Sequence, residues 1–145
     1  MQFIDTTIFL RHLTRDDPRQ AAACFNLFRQ AQRKKVFLMT SESVIAEVVY
    51  VLSSKNTYHV PRDQVRALLY PLLSLPGLKL PHRKVYLRAL DLYANNSFDF
   101  EGCLIVAHME RQALHEVYSY DTQFEQFAAL HRLEPPVENG SRPEP

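Results

Sequence analysis

Three acidic side chains stand beside apolar segments, where an ionised carboxylate needs a partner. Asp5 and Asp121 each follow a short apolar segment, and Glu47 interrupts the longer apolar run 44–52. Such a carboxylate costs free energy unless it is hydrogen-bonded, paired with a cation or bound to a metal ion. Because three acids share this situation, we predict one acidic cluster that holds a divalent metal ion.

The predicted cluster suits a hard divalent ion, since Mg²⁺ and Mn²⁺ prefer oxygen ligands. An ion of this kind polarises a phosphoryl oxygen and lowers the pKa of a bound water. A phosphodiester is therefore the natural substrate of such a site. The sequence leaves open whether one or two metal ions would bind.

Helix capping is the competing interpretation of the same acids. Asp5 precedes Thr6 and Thr7, and Asp121 precedes Thr122, so both aspartates also suit the N-cap of a following helix. A single glutamate such as Glu47 on a mixed helix is usually solvated. Only the combination of the three acids favours a metal site.

Helices and short strands alternate along the chain and must position these acids. Strands are predicted at 2–5, 36–39 and 117–120, with shorter ones at 78–80 and 132–133. Helices are predicted at 6–13, from Pro18 to the basic run 33–35, from Ser41 through Glu47, at 62–74 and 83–95, after Asp99, and at 121–130. This alternation favours an α/β fold, a three-layer α/β/α sandwich with a short, mostly parallel central sheet. Sites in such sheets form at the carboxyl ends of strands, where Asp5 and Asp121 both lie.

The bulk properties are those of an ordinary globular protein. The 145 residues suffice for one domain, and the net charge of +1 gives no global field for nucleic acid. Cys24 and Cys103 are the only cysteines and lie in helix-like apolar segments, which indicates buried thiols in a reducing compartment. No membrane span, signal peptide or zinc-ligand spacing is visible, so we expect a soluble, cytoplasmic protein.

Four segments resemble the motifs of the PIN domain, in the same order and with similar spacing. They are FIDTTIFL at 3–10, SESVIAEVVYVL at 41–52, DFEGCLIVA at 99–107 and YSYDTQF at 118–124. The resemblance covers residues 1–134, which we interpret as one PIN-like domain. Residues 135–145 are rich in proline and polar residues, and we expect them to form a flexible tail.

The resemblance is greatest to bacterial PIN domains of the VapC toxin type. It implies a metal-dependent ribonuclease that uses Mg²⁺ or Mn²⁺, acts on RNA as the toxin of a toxin–antitoxin pair, forms a homodimer and is neutralised by a protein antitoxin. Asp5, Glu47 and Asp121 match the metal-binding acids of the family. Thr7 matches a polar residue that helps to fix the first aspartate or a water, and Asp99 would assist the metal site. The RNA target and the antitoxin are not implied.

The third motif departs from the family pattern at Gly102, where the family commonly has its metal-site aspartate. Asp99 shares a helix face with position 102 but also suits the N-cap, whereas Glu101 points about 100° round the helix. We therefore rank Asp99 above Glu101 as a substitute. Glycine costs roughly 1 kcal/mol in a helix relative to alanine, so no local structural advantage of Gly102 is expected.

Three explanations of Gly102 stay open. In the first, the chain is a natural PIN domain with weakened activity. In the second, it is a non-catalytic relative kept for binding RNA or protein. In the third, it lost the aspartate by design or by selection in an expression host. Gain of RNA cleavage on Gly102→Asp would favour the last explanation.

Two further groups of residues have a functional and a structural interpretation. Arg11, Arg15 and Arg19 would line a nucleic-acid path near Asp5, whereas the basic residues at 29 and 33–35 are better explained as a solvated helix face. The leucine-dense segment 68–80 is interpreted as core packing, with a dimer face or a groove for a partner helix as the alternative.

Overall fold

Two short parallel sheets and six α-helices make up residues 1–137, which are those that the computed structural model describes. The chain divides into two units, Met1–His108 and Met109–Pro145. The predicted α/β class with a short parallel sheet is confirmed. Of the predicted tail 135–145, residues 138–145 lie outside the described part of the chain.

Most of the elements belong to the first unit. They are β1 (Gln2–Phe3), α1 (Thr6–Thr14), α2 (Pro18–Gln32), β2 (Leu38–Met39), α3 (Glu42–Ser53), α4 (Arg62–Leu73), β3 (Leu78–Lys79), α5 (Arg83–Asn95) and α6 (Phe100–Arg111), whose last turn enters the second unit. The second unit continues with β4 (Glu116–Tyr118), a 3₁₀ helix (Thr122–Gln126) and β5 (His131–Leu133).

The sheet of the first unit has the order β1-β2-β3, with all pairs parallel. Leu38 on β2 pairs with Gln2 on one side and with Leu78 on the other. Leu38 and Leu78 are both fully buried, as expected for a sheet covered by helices. The strands are shorter than predicted, because only two residues of each form a ladder.

Capping residues set the helix starts where the sequence predicts them. The Asp17 carboxylate accepts a hydrogen bond from the Gln20 N–H at 3.0 Å, and Pro18 occupies the first turn of α2. The Ser41 hydroxyl accepts from the Val44 N–H at 3.4 Å and begins α3. Each cap satisfies an N–H that the helix itself leaves unpaired.

The core of the first unit forms where α1 packs against α2 and α3, and where α4 packs against α5 and α3. The leucine-dense segment belongs to this core: Leu68 is 38% exposed, whereas the other leucines of 68–80 are buried. Core packing is thus the correct interpretation of that segment. Cys24 and Cys103 are buried free thiols, as predicted, and burial raises the pKa of Cys103 to about 11.

Gly77 allows β3 to approach the end of α2 closely. Its N–H donates to the Ala31 carbonyl at 2.9 Å, and its own carbonyl accepts from the Leu38 N–H at 2.8 Å. A Cβ at this position would overlap the backbone of Ala31 and Val36. Only glycine therefore fits between the sheet and the helix.

The second unit differs from the sequence-based expectation in two ways. β4 and β5 pair in parallel, Val117 with Arg132, and form a sheet of their own, so that the strand before Asp121 is not part of the β1-β2-β3 sheet. The helix predicted over 121–130 is a 3₁₀ helix of five residues. Its main-chain hydrogen bonds join residues three apart, from the Phe124 N–H to the Asp121 carbonyl at 3.4 Å and from the Phe127 N–H to the Phe124 carbonyl at 3.2 Å, which is the 3₁₀ pattern.

No helix within residues 1–137 is both long enough and apolar enough to cross a bilayer.

Candidate functional site

Asp5 ends the first strand segment and begins α1. Its Oδ1 accepts hydrogen bonds from the Thr7 N–H at 3.0 Å and from the Thr7 hydroxyl at 2.6 Å. The Thr7 hydroxyl is the main cause of a lowered pKa of Asp5, with smaller contributions from the N–H groups of Thr7 and Ile8, while partial desolvation acts in the opposite direction. Asp5 is thus an ionised N-cap, and both Thr7 bonds go to Oδ1 of its carboxylate.

The Asp5 turn is held by the strand beside it. The Ile4 N–H donates to the Met39 carbonyl at 2.9 Å, and the hydroxyl of buried Thr40 donates to the Ile4 carbonyl at 3.1 Å. These bonds fix the peptide unit that precedes Asp5. The carboxylate remains accessible, since Asp5 is exposed and borders a cavity of about 580 Å³.

Glu47 reaches the same turn from α3. Its Oε2 accepts a hydrogen bond from the Thr6 hydroxyl at 2.8 Å, and Thr6 is only 8% exposed. Thr6 follows Asp5 directly, so this bond links Glu47 to the turn that carries Asp5. The partner of Glu47 is a hydroxyl rather than a basic residue.

Asp99 acts as the N-cap of α6. Its Oδ1 accepts from the Gly102 N–H at 2.6 Å, and its carbonyl accepts from the Cys103 N–H at 3.0 Å. The capping alternative for Asp99 is therefore realised, and one of its oxygens is engaged by the helix. Asp99 also borders a cavity between α3 and α6.

The presence of glycine at position 102 is explained by local packing, which corrects the expectation that Gly102 has no structural advantage. A Cβ at this position would lie less than 3.0 Å from the ring atoms of Phe98, and Phe98 is only 1% exposed. The ring fills the space that a side chain at 102 would need. Gly102 is itself buried, so the missing family aspartate is replaced by a packed aromatic ring.

Asp121 belongs to the second unit, at the end of β4. Its Oδ1 accepts from the Gln123 N–H at 2.9 Å, and its own N–H donates to the Ser119 hydroxyl at 3.0 Å. The side chain is exposed. Like Asp5, it is a cap with an accessible carboxylate.

The donor set in the first unit fits a hard divalent ion. Asp5 and Glu47 provide carboxylate oxygens that are held by two consecutive residues, Thr7 and Thr6, and Mg²⁺ is usually held by one or two carboxylates while it keeps several waters. Within either unit, as far as residues 1–137 go, no three His, Cys, Asp or Glu side chains are grouped so that they could hold a metal ion. The first unit alone therefore offers a two-carboxylate site.

The chain matches a known protein family over the region that contains the four motifs. The family model of the PIN domain matches residues 3–130. The chain belongs to the PIN domain family. The matched region of this PIN domain contains all four segments that carry the acids. The family indicates a nuclease as the functional class. None of the curated proteins matches this PIN domain.

Thr6 is the residue of this PIN domain that sequence reasoning missed. Threonine is common after an N-cap, and nothing in the pattern links position 6 with a glutamate 41 residues away. The only available signal was its position between Asp5 and Thr7. The hydrogen bond between Thr6 and Glu47 forms because α1 packs against α3.

Thr6→Val is expected to reduce nuclease activity of this PIN domain by about 10- to 100-fold, the usual cost of losing a group that orients a metal ligand. Valine keeps the branched shape but cannot donate to Glu47. Initial rates of RNA cleavage, measured with excess metal, check this expectation. Thr6→Ser keeps the hydroxyl and serves as the matched control; equal rates for the valine variant and the original chain would contradict the role of Thr6.

Proposed function

We propose that this PIN domain is a metal-dependent endoribonuclease that hydrolyses RNA phosphodiesters as the toxin of a cytoplasmic toxin–antitoxin pair. The observation that carries the proposal is the hydrogen bond from Thr6 to Glu47, which brings a second carboxylate to the Asp5 turn. Thr7 donates two hydrogen bonds to Asp5, which lower the pKa of its carboxyl and favour the ionised form. Two oriented carboxylates, of which Asp5 borders an accessible cavity, are suited to binding Mg²⁺ or Mn²⁺.

The roles of Asp5 and Glu47 follow from their contacts. Asp5 and Glu47 bind the cation, oriented by Thr7 and Thr6 respectively. The role of Asp121 as a further metal ligand rests on the family resemblance alone. The assisting role of Asp99, through the oxygen that does not cap α6, likewise rests on the family resemblance. A bound Mg²⁺ or Mn²⁺ supplies Lewis-acid activation of a water and of the RNA phosphate.

Partner binding is the second part of the proposal. In the first unit, three phenylalanine side chains are about half exposed: Phe3 at 58%, Phe25 at 50% and Phe37 at 49%. Exposed aromatic side chains are enriched where proteins associate. They support the resemblance-based proposal of a homodimer that binds a protein antitoxin.

A catalytically weakened RNA- or protein-binding domain is the second candidate function. The observation that favours it is the packing of Phe98 against Gly102, which removes the space for the acid that the family commonly has. Both candidates keep the same fold and the same accessible carboxylates. An assay of RNA cleavage distinguishes the two candidate functions, whereas an assay of RNA binding does not.

Metal removal tests the proposed function directly. The purified chain, incubated with a mixed pool of single-stranded RNAs, is expected to cleave them with Mg²⁺ or Mn²⁺ and to stop when EDTA is added, because EDTA removes the Lewis acid that lowers the pKa of the water and polarises the phosphate. Gel analysis of end-labelled RNA gives the rates. Cleavage that persists in EDTA would contradict the proposal, and RNA binding without cleavage in metal would favour the second candidate.

A further inference from the structure

A cavity of about 420 Å³ opens between α3 and the start of α6 in the first unit. This volume is within the range of about 300–1,000 Å³ that small-ligand sites occupy. The aromatic side chains on its walls are Tyr50, Tyr93 and Phe100, and the other polar ones are Ser53, Arg62, Asp99 and Glu101. Except for Asp99, the proposed metal site uses none of them.

Tyr50 offers a flat apolar surface at the mouth of the cavity. Its side chain is 70% exposed, and no described residue is a hydrogen-bond partner of its hydroxyl. Tyr50 comes three residues after Glu47, so both side chains lie on one face of α3. An exposed aromatic ring beside a phosphodiester-cleaving site is suited to stacking against a base of single-stranded RNA.

Arg62 forms a fixed wall of the cavity. Its guanidinium lies over the Tyr93 ring at 3.8 Å from the centroid, donates to the Tyr93 carbonyl at 2.7 Å and donates to the Phe98 carbonyl. A side chain with three such contacts has little freedom to move. The cavity is thus largely formed before a ligand enters, which lowers the ordering cost of binding.

Glu101 supplies an unpaired acceptor at the same cavity. The residue is exposed, and within residues 1–137 no hydrogen bond or ion pair engages its carboxylate. Its neighbour Asp99 differs, because the α6 N-terminus already uses one Asp99 oxygen. The two oxygens of Glu101 therefore remain available for a ligand that presents two N–H donors side by side.

Guanine is the RNA base that matches this acceptor. Its N1–H and its exocyclic N2 amine are adjacent donors and can both pair with one carboxylate. Adenine and cytosine each place a ring acceptor next to their amine, and uracil places carbonyl oxygens on both sides of N3–H. A carboxylate is repelled by these acceptors, so Glu101 favours guanine by both attraction and exclusion.

We propose that this cavity binds a guanine of single-stranded RNA, which stacks on Tyr50 and is read by Glu101. The proposal rests on the proposed function in taking single-stranded RNA as the ligand. It adds a base preference at a position beside the cleavage site. Glu101 determines the base preference, Tyr50 adds affinity for any base, and neither takes part in the chemical step.

Binding of four labelled RNAs tests the proposal. The probes are single-stranded uridine octamers in which one central position is G, A, C or U, measured by fluorescence anisotropy in EDTA at fixed salt concentration, where cleavage is blocked. The original chain is expected to bind the G probe on the order of tenfold more tightly than the others, the usual scale for one bidentate base contact. Glu101→Gln is expected to abolish this preference.

Matched variants separate the two contacts. Tyr50→Ala is expected to weaken binding of all four probes by about tenfold, since stacking does not distinguish bases, whereas Tyr50→Phe keeps the ring and the affinity. Glu110→Gln removes a glutamate of the same helix that does not border the cavity and should keep the preference for G. A preference for another base, or a G preference that survives Glu101→Gln, would overturn the proposal.

The failure of this inference can be told apart from failure of the proposed function. Asp5→Asn blocks the proposed chemistry and leaves Tyr50 and Glu101 in place, so it should retain the preference for the G probe. If metal-dependent cleavage is absent while this preference depends on Glu101, the nuclease proposal fails and the base site stands. If cleavage occurs with no base preference, only the base site is overturned.

Discussion

Asp5→Asn is expected to reduce metal-dependent RNA cleavage by more than the roughly 10- to 100-fold that loss of a ligand-orienting group costs. Asparagine keeps an oxygen that can accept the hydrogen bonds of Thr7 but lacks the negative charge that a divalent ion requires. The fold should therefore persist while the activity is lost. Initial cleavage rates, together with circular dichroism of the variant, measure both properties.

The matched control for Asp5 is Asp17, the N-cap aspartate of α2. Asp17→Asn makes the same chemical change at a helix start of the same unit and should leave the cleavage rate unaltered. Cleavage that survives Asp5→Asn and still requires metal would refute the assignment of Asp5. A metal titration alone would be less informative, because the remaining carboxylates could still bind one ion.

Gly102→Asp is expected to destabilise the protein and, by itself, to produce no gain of activity. The new side chain would overlap the buried ring of Phe98, and overpacking of this kind costs about 1–3 kcal/mol. A carboxylate at this buried position adds a further desolvation cost. Gly102→Ala separates the two effects, because alanine introduces only the steric conflict, and its gain of about 1 kcal/mol in helix propensity offsets only part of it.

Urea denaturation of single and double variants measures this conflict. If Phe98 causes it, Phe98→Leu should relieve part of the cost of Gly102→Ala, with a coupling free energy of about 0.5–3 kcal/mol as is usual for residues in contact. Additive free energies of unfolding would show that the ring is not responsible. RNA cleavage by the double variant Phe98→Leu/Gly102→Asp then tests whether space was the obstacle to an acid at this position.

Local signals predicted the parts of the fold that depend on neighbouring residues. The Asp17-Pro18 pair and Ser41 specified the starts of α2 and α3, and the apolar spacing of 83–95 predicted the bounds of α5. These features act over one or two helical turns, so a single sequence contains them. The α/β class followed from their alternation with short apolar segments.

The features that escaped prediction depend on residues meeting across the fold. The bond between Thr6 and Glu47 requires α1 to pack against α3. The need for glycine at position 102 depends on the Phe98 ring, which occupies the space that a side chain there would fill. Helix propensity alone gave the wrong expectation for Gly102, because packing outweighs an intrinsic preference of about 1 kcal/mol. The roles assigned to Asp5, Glu47, Asp99 and Asp121 stay predictions that the cleavage assays test.

Arg62 has a consequence for how this chain can change during evolution. Its hydrogen bonds go to the main-chain carbonyls of positions 93 and 98, and a carbonyl is present whatever side chain those positions carry. A change of side chain at position 93 or 98 therefore leaves the acceptors of these two bonds in place. For these two bonds, the requirement for a specific amino acid falls on position 62, where lysine could not reproduce the planar, two-point contact.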